Sequence, residues 1–188
     1  MPGLYGNSPD QVFSTFKDHL SQLLNRTVTQ APLTKLRVGT RVLVEFWQNG
    51  RPVCVRVGRG YHLYVGQTLE AIEETRSRYR LKTVAYAYRI AEGPSFDDRC
   101  LFRWEYNARE YKDSLAPRHH LHIPAQLRCS GNRILDTEEL HIPTGWITVE
   151  EVIRFLIQEL DVKPKSKNWD ALLCRSEEKF REWTSRDA

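Results

Sequence analysis

Apolar residues recur at helical spacing near the start of the chain: Val12, Phe13, Phe16, Leu20, Leu23 and Leu24 fall on one stripe ending near Asn25. Ser8 stands in the N-cap position, Pro9 suits the first helical residue, and Gln11 completes a capping-box spacing. His19 lies at the margin of the stripe and reads as a solvated surface residue. From Thr34 to Gly60 the period changes to two. Val38, Val42, Val44 and Phe46 alternate with polar residues, Gln48-Asn49-Gly50-Arg51 makes a turn, and Val53, Val55 and Val57 return. Tyr61, Leu63 and Val65 suit a short strand. Thr68 is then expected to cap a polar helix from Leu69 to about Arg80, with basic residues gathered toward its C-terminus. Gly58, Gly60 and Gly66 read as turns.

Alternation resumes at Thr83–Ile90, with Val84, Tyr86, Tyr88 and Ile90 on one face and Ala85, Ala87 and Arg89 on the other. Gly93-Pro94-Ser95 breaks this strand, and a second begins at Arg99, so the two form an antiparallel pair. His119 to Ile123 is a further strand, which Pro124 ends or confines to a sheet edge. Leu127–Cys129 and Arg133–Leu135, around Ser130-Gly131-Asn132, suit a small ribbon. Leu140-His141-Ile142-Pro143 echoes Leu121-His122-Ile123-Pro124 and hints at two similar edge strands. Thr148-Val149-Glu150-Glu151 is a capping box opening a helix whose stripe is Val149, Val152, Ile153, Leu156 and Leu160. After a linker at 161–168, Trp169, Leu172, Leu173, Phe180 and Trp183 mark a last helix. The pattern predicts a single α+β domain over 1–188: an antiparallel β-sheet covered by an N-terminal helix and two C-terminal helices.

Composition changes little. The 188 residues are 40% hydrophobic, and 28 basic against 24 acidic side chains leave a net charge of +4. No apolar run approaches the ~20 residues of a membrane span, and the first residues lack the basic and apolar regions of a secretory signal. A cytoplasmic protein without a membrane partner is expected. The four cysteines are scattered without a C-x-x-C pair and read as buried thiols. No P-loop, dinucleotide-binding or G-x-S-x-G motif occurs. The 34–60 hairpin has a basic outer face, on which Arg51, Arg56 and Arg59 are candidate nucleic-acid contacts.

The stretch 99–124 concentrates the chemistry. Arg103 and Glu105 share one strand face, while Phe102, Trp104 and Tyr106 take the other; His120 and His122 share a face of their strand, and His119 takes the opposite one. Two chemistries suit these residues. In the first, His120 and His122 act as acid and base on a phosphodiester, Glu105 orients them, Arg103, Arg109 and Arg118 hold phosphate, and Trp104 contacts the substrate. This version requires no cofactor. In the second, His120 and His122 present an H-x-H pair to a divalent metal, completed by His141 or by a carboxylate such as Glu105 or Asp113. Alternation alone does not say whether the Arg103 face and the His120 face coincide.

The order Tyr86-x-Tyr88-Arg89, Leu101-Phe102-Arg103-Trp104-Glu105 with Asn107, Arg118-His119-His120-Leu121-His122, and Thr148 to Phe155 opening a helix resembles the TumE-type toxins of bacterial and archaeal toxin–antitoxin systems. The resemblance covers about residues 83–160, leaving 1–82 as an N-terminal helix plus basic hairpin and 166–185 as a C-terminal helix. The chain departs from the family by the extra Tyr106 between Glu105 and Asn107 and by a long loop before the histidines. The resemblance implies a toxin-like or defence-associated protein that acts on RNA as a ribonuclease, with a small antitoxin protein as partner. The alternative is a non-catalytic nucleic-acid-binding or regulatory module that uses the basic hairpin and stacks bases on its aromatic strands.

Overall fold

The computed structural model describes residues 3–107, 117–128, 130, 133–137 and 140–183. The first part of the chain forms β1 (Tyr5–Gly6), α1 (Pro9–Thr27), β2 (Leu33–Val38), β3 (Arg41–Gln48), β4 (Arg51–Pro52) and β5 (Val55–Arg56). Two long strands follow, β6 (His62–Thr75) and β7 (Arg78–Ala91), then β8 (Cys100–Asn107) and β9 (His119–His122). The remainder comprises β10 (Gln126–Arg128), β11 (Ile134–Asp136), β12 (Ile142–Pro143), α2 (Val149–Gln158) and α3 (Trp169–Trp183). One antiparallel sheet runs in the order β12-β9-β8-β7-β6-β3-β2, with β1, β4 and β5 pairing at its margins, and β10 and β11 form a separate ribbon. The fold is α+β, as the pattern predicts. Among the described residues no helix is long and apolar enough to cross a membrane.

The three helices share a core with one face of the sheet. Val12, Phe13, Phe16, Leu20, Leu23 and Leu24 of α1 meet Val44, Phe46, Leu63, Val65, Tyr88 and Ile90, and Val152, Ile153 and Leu156 of α2 join the same cluster. The caps follow from local chemistry. Ser8 Oγ accepts from Gln11 N at 3.2 Å, although the Gln11 side chain reaches one residue further back than a capping box requires, accepting from Asn7 N at 2.7 Å. Thr148 and Glu151 form the full reciprocal box. Asn49 and Gly50 both take positive φ, 50° and 78°, as a primed hairpin turn demands.

Three sequence expectations are corrected. The segment from Leu69 to Arg80 is not a helix: β6 and β7 form one hairpin, paired from His62↔Ala91 to Thr75↔Arg78. Its residues carry no apolar helical stripe, and the β6–β7 ladder, flanked by β3 as far as Glu70 and by β1 at Tyr79 and Arg80, overrides intrinsic helix propensity. Gly66 is no turn but the interior of β6, where an added Cβ would stand 2.4 Å from Tyr64 Oη. His19 is not solvated. It packs under α3, with Nε2 2.8 Å from Ser176 Oγ and its ring edge-on to Trp183.

Candidate metal centre

Register carries the strand alternation across the sheet. Glu105 pairs with His120 and Arg103 with His122 on β8–β9, while Ala87 and Arg89 of β7 stand opposite Glu105 and Arg103. Directly paired residues share a face. Arg89, Arg103 and His122 therefore form one row on the helix-free face, and Ala87, Glu105 and His120 form the next. The Arg103 face and the His120 face are one face.

The third histidine, His141, immediately precedes β12. Ile142 pairs with Leu121 and Pro143 with His120, which sets His141 across from His122 one residue beyond the ladder. The echo between Leu121–Pro124 and Leu140–Pro143 thus corresponds to two adjacent strands. One ligand atom each from His120, His122 and His141 lies within 4.8 Å of the others. Glu105 Oε2 is 3.4 Å from His122 Nε2 and 3.7 Å from His120 Nε2, and Arg103 Nε is 3.3 Å from the same oxygen. His120 and His122 are 4% and 5% exposed, whereas His141 faces solvent. Two buried histidines, a part-exposed Glu105 and an exposed His141 leave the cluster open on the His141 side.

Ligand atoms on a tetrahedral ion with bonds of about 2.0–2.1 Å stand about 3.4 Å apart. The Glu105–histidine distances approach that spacing, while the three histidine atoms, up to 4.8 Å from one another, are spread more widely. His120 Nδ1 lies 2.8 Å from Pro117 O. A carbonyl only accepts, so Nδ1 carries a proton and the Nε2 edge of the ring faces the Glu105 carboxylate. Such a backbone contact is how ligating histidines are oriented.

The remaining predicted residues separate from this cluster. Trp104 is corrected: it occupies the helix face, 7% exposed and edge-on to Phe155 at 5.6 Å, so it does not border the histidines. Tyr86, Tyr88 and Tyr106 are buried on that same face, which leaves the stacking-module alternative without an aromatic platform on these strands. His119 stacks on Tyr106 at 4.4 Å, and the exposed Arg118 lies over the Tyr106 ring at 5.8 Å, on the aromatic side. Arg51, Arg56 and Arg59 are exposed on the hairpin, where Arg51 and Arg56 border a separate cleft with His62 and Pro94. Arg109 and Asp113 lie outside the described residues. Beyond the centre, Tyr64 donates to the buried Glu45, and burial raises the Glu45 carboxyl above its usual range. Sequence reasoning missed Arg89 as a site residue, since its only signal was its place in the alternation of β7.

Compared with models of known protein families, with curated proteins and with solved structures, the chain matches none.

Proposed function

We propose that this protein is a metal-dependent phosphodiester hydrolase, a toxin-like or defence-associated ribonuclease whose partner is a small antitoxin protein. The convergence of His120, His122 and His141 beside Glu105 carries this reading. Imidazole and carboxylate donors suit zinc and its first-row neighbours. A divalent ion bound there supplies a Lewis acid and brings the pKa of a coordinated water to about 7. His120 and His122 then serve as ligands instead of acid and base, Glu105 as a ligand or as the acceptor of the water's proton, and Arg103 as a holder of a phosphate oxygen. RNA as the substrate follows from the resemblance of residues 83–160 to the TumE-type toxins.

The first prediction concerns the metal. Protein stripped with EDTA should lose RNA cleavage and regain it with one equivalent of Zn²⁺, Mn²⁺ or Fe²⁺. His141→Ala should weaken metal uptake by more than the roughly 10–100-fold typical of losing an outer-shell partner, and His120→Ala with His122→Ala should abolish both uptake and growth toxicity. Cleavage that persists in EDTA, or a folded triple-histidine variant that retains it, would eliminate the proposal.

A further inference from the structure

Beside the metal centre, on the same face, a cleft of about 820 Å³ runs from His122 past Arg103 and Arg89 to Arg99 and the 96–98 turn. Arg89 and Arg103 stand directly opposite one another on β7 and β8. Two guanidiniums at a paired position repel, so a folded protein keeps such a pair at a cost. Arg103 has Glu105. Arg89 is 8% exposed, its Nη2 donates to the backbone carbonyl of Asp98, and its buried Nε–H has no hydrogen-bond acceptor among the described residues. A buried donor on a charged group left without an acceptor is itself unfavourable.

Three carboxylates line the cleft, Asp97, Asp98 and Asp136, and the first two are engaged within the turn itself. Asp98 Oδ2 accepts from Ser95 N at 2.7 Å, and Asp97 Oδ2 is 3.2 Å from Ser95 Oγ. Gly93 holds this turn against the strand, for a Cβ there would stand 2.2 Å from Asp98 Oδ2. The turn thereby places the Asp98 carbonyl on Arg89 and fixes the plane of the guanidinium, while Phe96 lies against it at 5.2 Å. The result is a preorganised fork with a donor unused among the described residues, in the same row as His122 with Arg103 between them.

We infer that Arg89 and Arg103 form an oxyanion subsite that receives a phosphate group of the substrate next to the metal, with Arg89 as the buried anchor. The inference rests on the proposed phosphodiester chemistry and names a binding residue for it. The guanidinium fork matches two phosphate oxygens, and one bound phosphate both relieves the repulsion between the arginines and fills the vacant Nε–H.

The experiment uses the full chain, inorganic phosphate as probe, and two conditions, EDTA and saturating Zn²⁺. In EDTA, titrating phosphate should shift the Arg89 and Arg103 Nε–H signals in ¹⁵N NMR and leave those of Arg51, Arg56 and Arg59 in place. Arg89→Gln should weaken phosphate binding about tenfold or more, the factor that corresponds to one charge-assisted hydrogen bond, without changing Zn²⁺ uptake. The wild-type titration reads the site even if Arg89→Gln fails to fold. Shifts confined to the hairpin arginines, or phosphate binding that appears only with Zn²⁺ and is unchanged in Arg89→Gln, would overturn the subsite while leaving the metal reading intact. Binding through Arg89 in a protein that takes up no Zn²⁺ would uphold the subsite and remove the metal reading.

Discussion

Glu150, the second residue of α2, is a carboxyl buried at 1% exposure whose Oε1 accepts from Ser176 Oγ–H. Ser176 in turn is the hydrogen-bond partner of His19, so one chain of polar atoms links the three helices. Burial pushes the Glu150 carboxyl up from its ordinary 4.5 to about 6, against the stabilising Ser176 bond. The folded state therefore holds this proton more tightly than the unfolded chain does. The stabilisation is complete below pH 4.5 and is lost as pH rises through 6. Above that, the ionised group costs about 2 kcal/mol, the equivalent of the shift. Glu150→Gln keeps an acceptor for Ser176 and removes the charge. It should be about 2 kcal/mol more stable than the parent at pH 8 and no more stable at pH 4, as urea unfolding at the two pH values would measure. Equal stability at pH 8 would contradict the assigned cost. At this scale the sequence marked Glu150 only as lying between the capping-box partners Thr148 and Glu151, because nothing in residue order places Ser176 beside it.

Elements depend on phase. On β7, Leu81 and Tyr86 both face the core although five positions separate them, an odd interval that a regular strand would split between its two faces. The phase changes where Thr68 pairs with Ala85 and Leu69 with Thr83, leaving Val84 as a bulge. That bulge lets the long hairpin bury Leu81 and still present Ala87 and Arg89 beside β8. Deleting Val84 should force one set outward and cost about 3 kcal/mol or more, the burial of one large side chain. Thermal denaturation checks the stability, and loss of Zn²⁺ uptake would follow if the Arg89 end is the one displaced. A deletion variant as stable as its parent would show that the bulge is dispensable. Element identity was legible wherever a long stripe or clean alternation existed, as in α1, α2, α3 and β8. It was not legible at 69–80, where a polar segment becomes a hairpin because β6 and β7 pair with each other, with β3 beside it only as far as Glu70.

Across the whole molecule, the candidate centre gathers residues of β8 and β9 and the residue that precedes β12, a two-residue strand at the sheet edge paired, among the described residues, with β9 alone. An ion bound by His120, His122 and His141 would tie that edge to the sheet. At 100 times its dissociation constant, a ligand that binds only the folded state adds about 2.7 kcal/mol of stability. Zn²⁺ should accordingly raise the melting temperature of the wild-type protein and protect residues 140–143 from amide exchange. His141→Ala should show neither effect, and an equal shift in both proteins would locate the ion elsewhere. The sequence by itself determined the helical stripes, the alternation of β8 and β9, and hence that Arg103 lies with Glu105 and His120 with His122, since side-chain direction within one element follows from backbone period alone. Tertiary structure decided that these two faces are the same face, that His141 joins them while Trp104 and His119 turn away, and that Arg89 stands against Arg103. Each of those facts depends on register between strands distant in the chain, and pairing across the sheet is set by the packed core as a whole.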